Sequence, residues 1–203
     1  MGLVYLAGMK TLLLASRSPR RQDMLRQAGW VFRADAVDTD ESVPPGLNPT
    51  EAALHIAGGK AHASAHLRRD SEILLAADTV VAVGQHLLAK PADAAEATTM
   101  LRLLSGKTHD VITAVVLKTD DHAETFFSRT EVEVAPLSEA AIAFYLEHYR
   151  PYDKAGAYAI QEWIGLTHIL AIRGCYYNVV GLPMPALHPK LQALGARWEP
   201  GKG

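Results

Sequence analysis

An α/β fold built on a mixed sheet is what this sequence predicts, and three observations carry the prediction. The 203 residues are 49% hydrophobic and 21% charged, enough apolar material for one packed domain and too much for a disordered chain. Apolar runs of strand length alternate with capped segments of helix length, the pattern of strand–helix–strand crossovers. Two further runs, Val111 to Lys118 and Thr125 to Val134, face each other across Asp120-Asp121, and that hairpin adds antiparallel pairing.

The elements follow in order. Thr11 to Ala15 (TLLLA) reads as a buried strand. Ser18 stands at an N-cap and Pro19 at the first helical position, where its missing N–H costs nothing. Met24, Leu25 and Ala28 give that helix its apolar stripe, and Gly29 ends it. Asp35 to Asn48, broken by Pro44, Pro45 and Gly46, is a loop. Asn48-Pro49-Thr50-Glu51 then opens a longer helix with a capping-box pattern. Gly58 and Gly59 inside it each cost about 1 kcal/mol relative to alanine unless something packs closely there.

Ile73 to Val83 is a strand too apolar for an edge, turned back by Gly84-Gln85 into His86 to Ala89. Ala92 to Leu104 is an amphipathic helix closed by Gly106, and Ser138 caps another that stops before Pro151. Short strands at His168 to Ile172 and Tyr176 to Val180 precede a last helix from Pro185 to Leu194. No repeat or linker divides the chain.

Composition excludes several functions. Twenty Lys and Arg against 22 Asp and Glu leave a formal charge of -2, so no global basic field holds nucleic acid or anionic lipid. The apolar stretch from Met1 to Ala15 lacks a basic start, is cut by Lys10 and is too short to span a bilayer. Leu6 stands where an N-myristoylation signal needs Ser or Thr. The single cysteine, Cys175, excludes an internal disulfide framework and a multi-thiolate zinc site. A cytoplasmic protein is expected. Two motifs fail on inspection. Ser105-Gly106-Lys107-Thr108 follows a helix and has Leu101 where a P-loop needs glycine, while His62 and His66 flank Ala63 and not the Glu of a zinc helix.

Other signals survive. The turn from Ser16 to Arg21 gathers three arginines and two hydroxyls at a helix N-terminus, where free N–H groups and the helix dipole favour an anion. The plain alternative is a capped helix with solvated arginines. Asp78 stands inside the apolar run AADTVV, and a buried carboxylate is costly unless it is paired or bound to metal. Lys90 emerges after the following strand and can return to the same cleft. The charged pair Asp153-Lys154, then Gln161, is weak evidence alone.

Taken together the pieces match a family. From about Thr11 to Leu194 the chain resembles the Maf-like nucleoside triphosphate pyrophosphatases. The resemblance rests on LLLASRSPRRQDML, on Asp38-Thr39-Asp40-Glu41, on KAHA from Lys60 and on AADTVV. It continues through LAKPADAAEATTMLRLLSGKTHDVITAV, YDKAGAYAIQ and YYNVVGLP. It implies hydrolysis of a nucleoside triphosphate to monophosphate and pyrophosphate with a divalent cation, Mg2+ or Mn2+. It also implies an elongated mixed α/β fold with a central cleft, similar to inosine triphosphate pyrophosphatases. On this reading residues 11–195 are a single domain of two lobes, flanked by an N-terminal extension (1–10) and a C-terminal tail (196–203). A homodimer is a further expectation.

The resemblance makes Asp78 the proton acceptor. It makes Arg20, Thr79 and Gln161 the substrate-specificity set of the dTTP/UTP branch; the 7-methyl-GTP branch typically has an aromatic residue, Gln and Glu there. A primary amide can accept from N3–H of uracil or thymine and donate to a carbonyl, which an ionised Glu cannot. Ser16, Arg21, Lys60 and Lys90 are the phosphate-binding candidates, since charge accumulates on departing pyrophosphate. Asp40, Glu41 and Asp78 are hard oxygen donors of the type Mg2+ prefers, with Glu41 and Asp78 favoured as metal ligands. Which carboxylate binds the cation and which takes the proton is open at this level. The chain departs from the family pattern at Gly59 and at Glu162-Trp163-Ile164. Two rival functions are a 7-methyl-GTP pyrophosphatase and a nucleotide-binding regulator of cell division.

Overall fold

The computed structural model describes residues 9–199 and 201. Residues 1–8, on which the readings of the apolar start chiefly rest, lie outside them. Strand β1 (Thr11–Leu14) leads through helix α1 (Pro19–Gln27) to β2 (Phe32–Ala34), parallel to it. Helix α2 (Pro49–Ala63) and a 3₁₀ turn at Ala65–Leu67 lead to the long β3 (Glu72–Val83), parallel to the other side of β1. The short β4 (His86–Leu88) folds back on β3. Helix α3 (Ala94–Leu104) precedes the hairpin of β5 (Thr108–Lys118) and β6 (Ala123–Val134). Then come α4 (Glu139–Tyr149), a 3₁₀ turn at Ala155–Ala157, α5 (Trp163–His168), β7 (Ile169–Arg173), α6 (Tyr176–Val180) and α7 (Met184–Ala193). The strands form one seven-stranded sheet ordered β2-β1-β3-β5-β6-β7, with β4 beside β3. It is the mixed α/β sheet expected.

Packing explains the order. Leu12, Leu13 and Leu14 are fully buried, because helices cover both faces of β1. Leu12 and Leu14 join Met24, Leu25, Leu187 and Leu191 of α1 and α7 on one face. Leu13 joins Ala53, Ile56 and Ala57 of α2 on the other. Each such leucine contributes about 1.5–3 kcal/mol. A separate cluster at the far end of the sheet gathers α3, α4 and the segment from Ala157 to Ile164 around Val81, Val111 and Val132.

Several expectations need correction. Tyr176 to Val180 is a helix, not a strand. Its aromatic and β-branched residues favour a strand locally, but Asn178 is fully buried and its amide donates to Val111 O and Thr130 Oγ1, both at 2.9 Å. Tertiary hydrogen bonds outweigh propensity there. β2 and α5 went unpredicted, being three and six residues long. Ser18 holds the N-cap position, but its hydroxyl does not cap; its N–H donates to Ser16 Oγ at 3.2 Å. Residues on either side of the 11–195 span pack against it. Ala196 is buried in the core, the Lys10 and Arg197 backbones are bonded, and the Trp198 indole donates to Ala28 O at 2.7 Å. Nothing lies within 4 Å of a Cβ placed on Gly58 or Gly59, so their propensity cost stands.

One feature of the sheet positions the site. β5 covers one edge of β3 from Leu74 to Ala82. On the other edge β1 covers only Glu72 to Leu75, and β4 covers only Val81 to Val83. Between them, among the described residues, no strand lies beside residues 76–80 on this edge. A cleft opens at this gap.

Candidate active site

Strand alternation distributes the two polar residues of the gap. Asp78 shares a face with Ala76 and Val80, which pack against α2, and Thr79 points to the other face with Ala77 and Val81. Asp78 is 7% exposed, and its Oδ1 accepts from Lys60 Nζ of α2 at 2.5 Å. The same ammonium lies 2.7 Å from Glu41 Oε1, and Lys90 Nζ reaches Glu41 Oε2 at 2.7 Å. Burial pushes the Glu41 carboxyl up, but the two ammonium groups more than offset it and bring its pKa down to about 2. Glu41 is therefore ionised, and two carboxylates alternate with two ammonium groups.

The turn after β1 supplies a different kind of cation. The Arg21 guanidinium is buried, donating to Gly181 O at 2.8 Å, Thr79 Oγ1 at 3.0 Å and Ser16 Oγ at 3.3 Å. Thr113 donates onward to Asn178 O at 3.0 Å, so the 2.9 Å contact between Thr79 and Thr113 runs from the Thr79 hydroxyl to Thr113. Among the described residues Arg21 has no carboxylate partner in contact. Burial lowers its pKa and the nearby Asp78 charge opposes that. An anion in the cleft would complete it. Arg20 pairs with Asp153 at 3.3 Å and Arg17 with Asp38 at 2.6 Å.

Gln161 stands across the cleft on an irregular segment. Its side chain is exposed and its amide makes no hydrogen bond among the described residues. The backbone before it is tightly constrained. Gly156 has φ +70°, and a Cβ there would meet Val81 at 3.0 Å. Ala157 follows, buried at φ +58°. The Tyr158 hydroxyl is 2.7 Å from His109 Nε2. A Cβ on Gly165 would land on the Ile160 carbonyl oxygen, so only glycine lets α5 approach the residue before Gln161.

All nine residues carried as site candidates from the sequence line this one cleft of about 400 Å³. Asp40 does not line it; its carboxylate accepts from the N–H and hydroxyl of Ser42, each at 2.8 Å. Asp153 and Lys154, weak signals in the sequence, line it as well. The adjacent opposite charges were visible, but the burial of Lys154 was not.

The sequence profile of the Maf-like proteins matches residues 11–194. The chain belongs to the Maf-like family. A dTTP/UTP pyrophosphatase of Porphyromonas gingivalis is 44% identical to this Maf-like chain over 187 residues, covering 91% of it and 94% of the relative. One of Chlorobium chlorochromatii is 44% identical over 190 residues, covering 92% and 96%. One of Cytophaga hutchinsonii is 42% identical over 183 residues, covering 90% and 84%. A solved structure, a nucleoside-triphosphatase / dITP/XTP pyrophosphatase of Mycobacterium abscessus, aligns over 91% of this chain and 97% of its own. Its TM-score is 0.41 and its identity 18%, too slight a likeness to bear on substrate or mechanism. Among the described residues no helix is long and apolar enough to cross a membrane.

Proposed function

We propose that this chain hydrolyses dTTP and UTP, with modified pyrimidine triphosphates admitted by the same base edge, to the nucleoside monophosphate and pyrophosphate. One observation carries the reading: Asp78, set against Lys60, Glu41 and Lys90, lines the same cleft as Gln161, whose amide has no hydrogen-bond partner among the described residues. In this reading the Asp78 carboxylate takes a proton from a water molecule as the water oxygen bonds to the α-phosphorus. The bond from that phosphorus to the bridging oxygen breaks, and the electron pair leaves with pyrophosphate. Arg21, Lys60 and Lys90 stabilise the charge that accumulates there. Gln161 accepts from N3–H and donates to a ring carbonyl, while Thr79 acts on Arg21 through its hydroxyl.

The donor set fits a divalent cation of the Mg2+ or Mn2+ type. Among the described residues no three His, Cys, Asp or Glu side chains converge. Glu41 and Asp78 nevertheless meet at one ammonium, and two carboxylates plus substrate phosphate oxygens suffice for Mg2+. Such an ion would supply charge neutralisation on the phosphates. Two further parts of the reading are a homodimer, which rests on the family resemblance, and a cytoplasmic setting, which rests on the composition and the single cysteine.

The test is pyrophosphate release from a panel of triphosphates with Mg2+ or Mn2+ present. The expected kcat/KM for dTTP and UTP exceeds that for ATP, GTP and 7-methyl-GTP by at least about tenfold. If 7-methyl-GTP were the best substrate, the pyrimidine assignment would be wrong.

A further inference from the structure

Lys154 is a third lysine in the cleft, beside Lys60 and Lys90. It is 8% exposed, and its Nζ donates to Asp153 Oδ1 at 2.7 Å and lies 3.4 Å from Glu162 Oε1. Both partners are held in turn. The other Asp153 oxygen pairs with Arg20 at 3.3 Å. The other Glu162 oxygen accepts from the Tyr145 hydroxyl, whose own oxygen accepts Ala159 N–H at 3.1 Å. Tyr145 is fully buried, so this end of the network is anchored in the core. Burial, reinforced by Glu162, pushes the Tyr145 hydroxyl pKa up, so it stays protonated and keeps donating.

The path therefore runs Arg20–Asp153–Lys154–Glu162, from one specificity candidate to the residue next to the other, Gln161. We infer that Lys154 is a positioning residue for base recognition, its ammonium tying Asp153 to Glu162 and so fixing Gln161 relative to Arg20. The inference rests on the reading of Gln161 as the group that meets the base. Along this path two cations meet two carboxylates. Both carboxylates that Lys154 ties have a second partner, so its ammonium is a cross-brace between two anchored groups. Arg21 differs, having hydrogen-bond acceptors but, among the described residues, no carboxylate in contact.

The test uses the full chain and compares kcat and KM for UTP and for GTP in wild type, Lys154→Met, Glu162→Gln and the double variant. Cutting the brace at either end lowers the UTP-to-GTP ratio of kcat/KM by at least about tenfold, through the KM for UTP, with kcat for UTP held within about threefold. The double variant falls no further than the worse single one, because one connection is being cut. A parallel loss with both nucleotides would make Lys154 a phosphate ligand and overturn the inference, as would a ratio unchanged within about twofold. Should Lys154→Met fail to fold, Glu162→Gln decides alone, since its amide oxygen still accepts from Tyr145 and its volume is kept. A wild type without UTP preference overturns the base-reading proposal and this inference together. A wild-type preference that both single variants keep overturns this inference only.

Discussion

The two walls of the cleft are built by different means. Asp78, Lys60 and Thr79 project from the regular elements β3 and α2, whose backbones are fixed by ladder and helix hydrogen bonds. Gln161, Lys154 and Tyr158 hang from the segment between α4 and α5, which is held by left-handed backbone at Gly156 and Ala157 and by close approach at Gly165. The first wall fixes positions through period and pairing. The second fixes them one contact at a time, so single substitutions there should disturb selectivity, whereas those on the first should disturb rate.

The largest expected effect tests the first wall. Asp78→Asn keeps shape and strand packing but cannot take a proton, so kcat should fall by about 10²–10⁴-fold. dTTP binding measured by calorimetry with Mg2+ should persist, because Arg21, Lys60 and Lys90 remain. Near-wild-type turnover would remove Asp78 from the mechanism.

On the second wall, Gly165→Ala forces a methyl group onto the Ile160 carbonyl, and overpacking of this kind costs about 3 kcal/mol. Denaturant unfolding should show that loss, and the surviving enzyme should have a raised KM for UTP. An unshifted midpoint would mean that α5 moves away freely.

His109 makes the same wall sensitive to acid. Burial pushes its pKa down from 6.5 to about 4, with Asp110 opposing slightly. Between those values the unfolded chain takes up the proton and the folded chain does not, so stability is full above pH 6.5 and falls as pH drops towards 4. The contribution lost is about 3 kcal/mol. In His109→Gln, unfolding free energies at pH 7 and pH 4 should differ by correspondingly less than in wild type.

Gln161→Glu tests the tip of the second wall. The carboxylate keeps an acceptor for N3–H and loses the donor that faces a carbonyl, a change of about 1–3 kcal/mol. The kcat/KM for UTP should fall by roughly ten- to a hundredfold. An unchanged value would show that Gln161 does not read the base.

The smallest effect reverses the sign of the glycine result. Gly59→Ala in α2 meets nothing within 4 Å, so it should stabilise the protein by about 1 kcal/mol in thermal or denaturant unfolding. Two glycines, one on each wall, should thus answer the same substitution in opposite directions.

The same contrast explains what could be read from the sequence. β3 shows as an apolar run with Asp78 conspicuous inside it, and α2 announces itself by its capping box, which the structure contains. Lys60 was found only through the family resemblance, because its pairing with Asp78 spans two elements. The specificity roles of Arg20, Thr79 and Gln161 likewise came from resemblance, and the structure brings all three to one cleft. α6 was misread because the contacts of Asn178 are tertiary. β2 was missed because Arg33 interrupts it, a residue whose guanidinium is held by Glu72 at 2.7 Å from the neighbouring part of the sheet. Lys154 was seen and left idle, since nothing local shows that a lysine is buried.

The gap beside residues 76–80 of β3 bears on solubility as well as chemistry. A bare strand edge invites another polypeptide to join the sheet, the first step of many aggregation routes. Here β1 and β4 stop the opening at both ends, leaving room for about 17 Å of extended chain. An intruding strand that short gains few ladder bonds, and it would have to push between the paired charges of Lys60, Glu41 and Lys90. The strand edge at the cleft can stay open to small molecules while remaining a poor template for another strand.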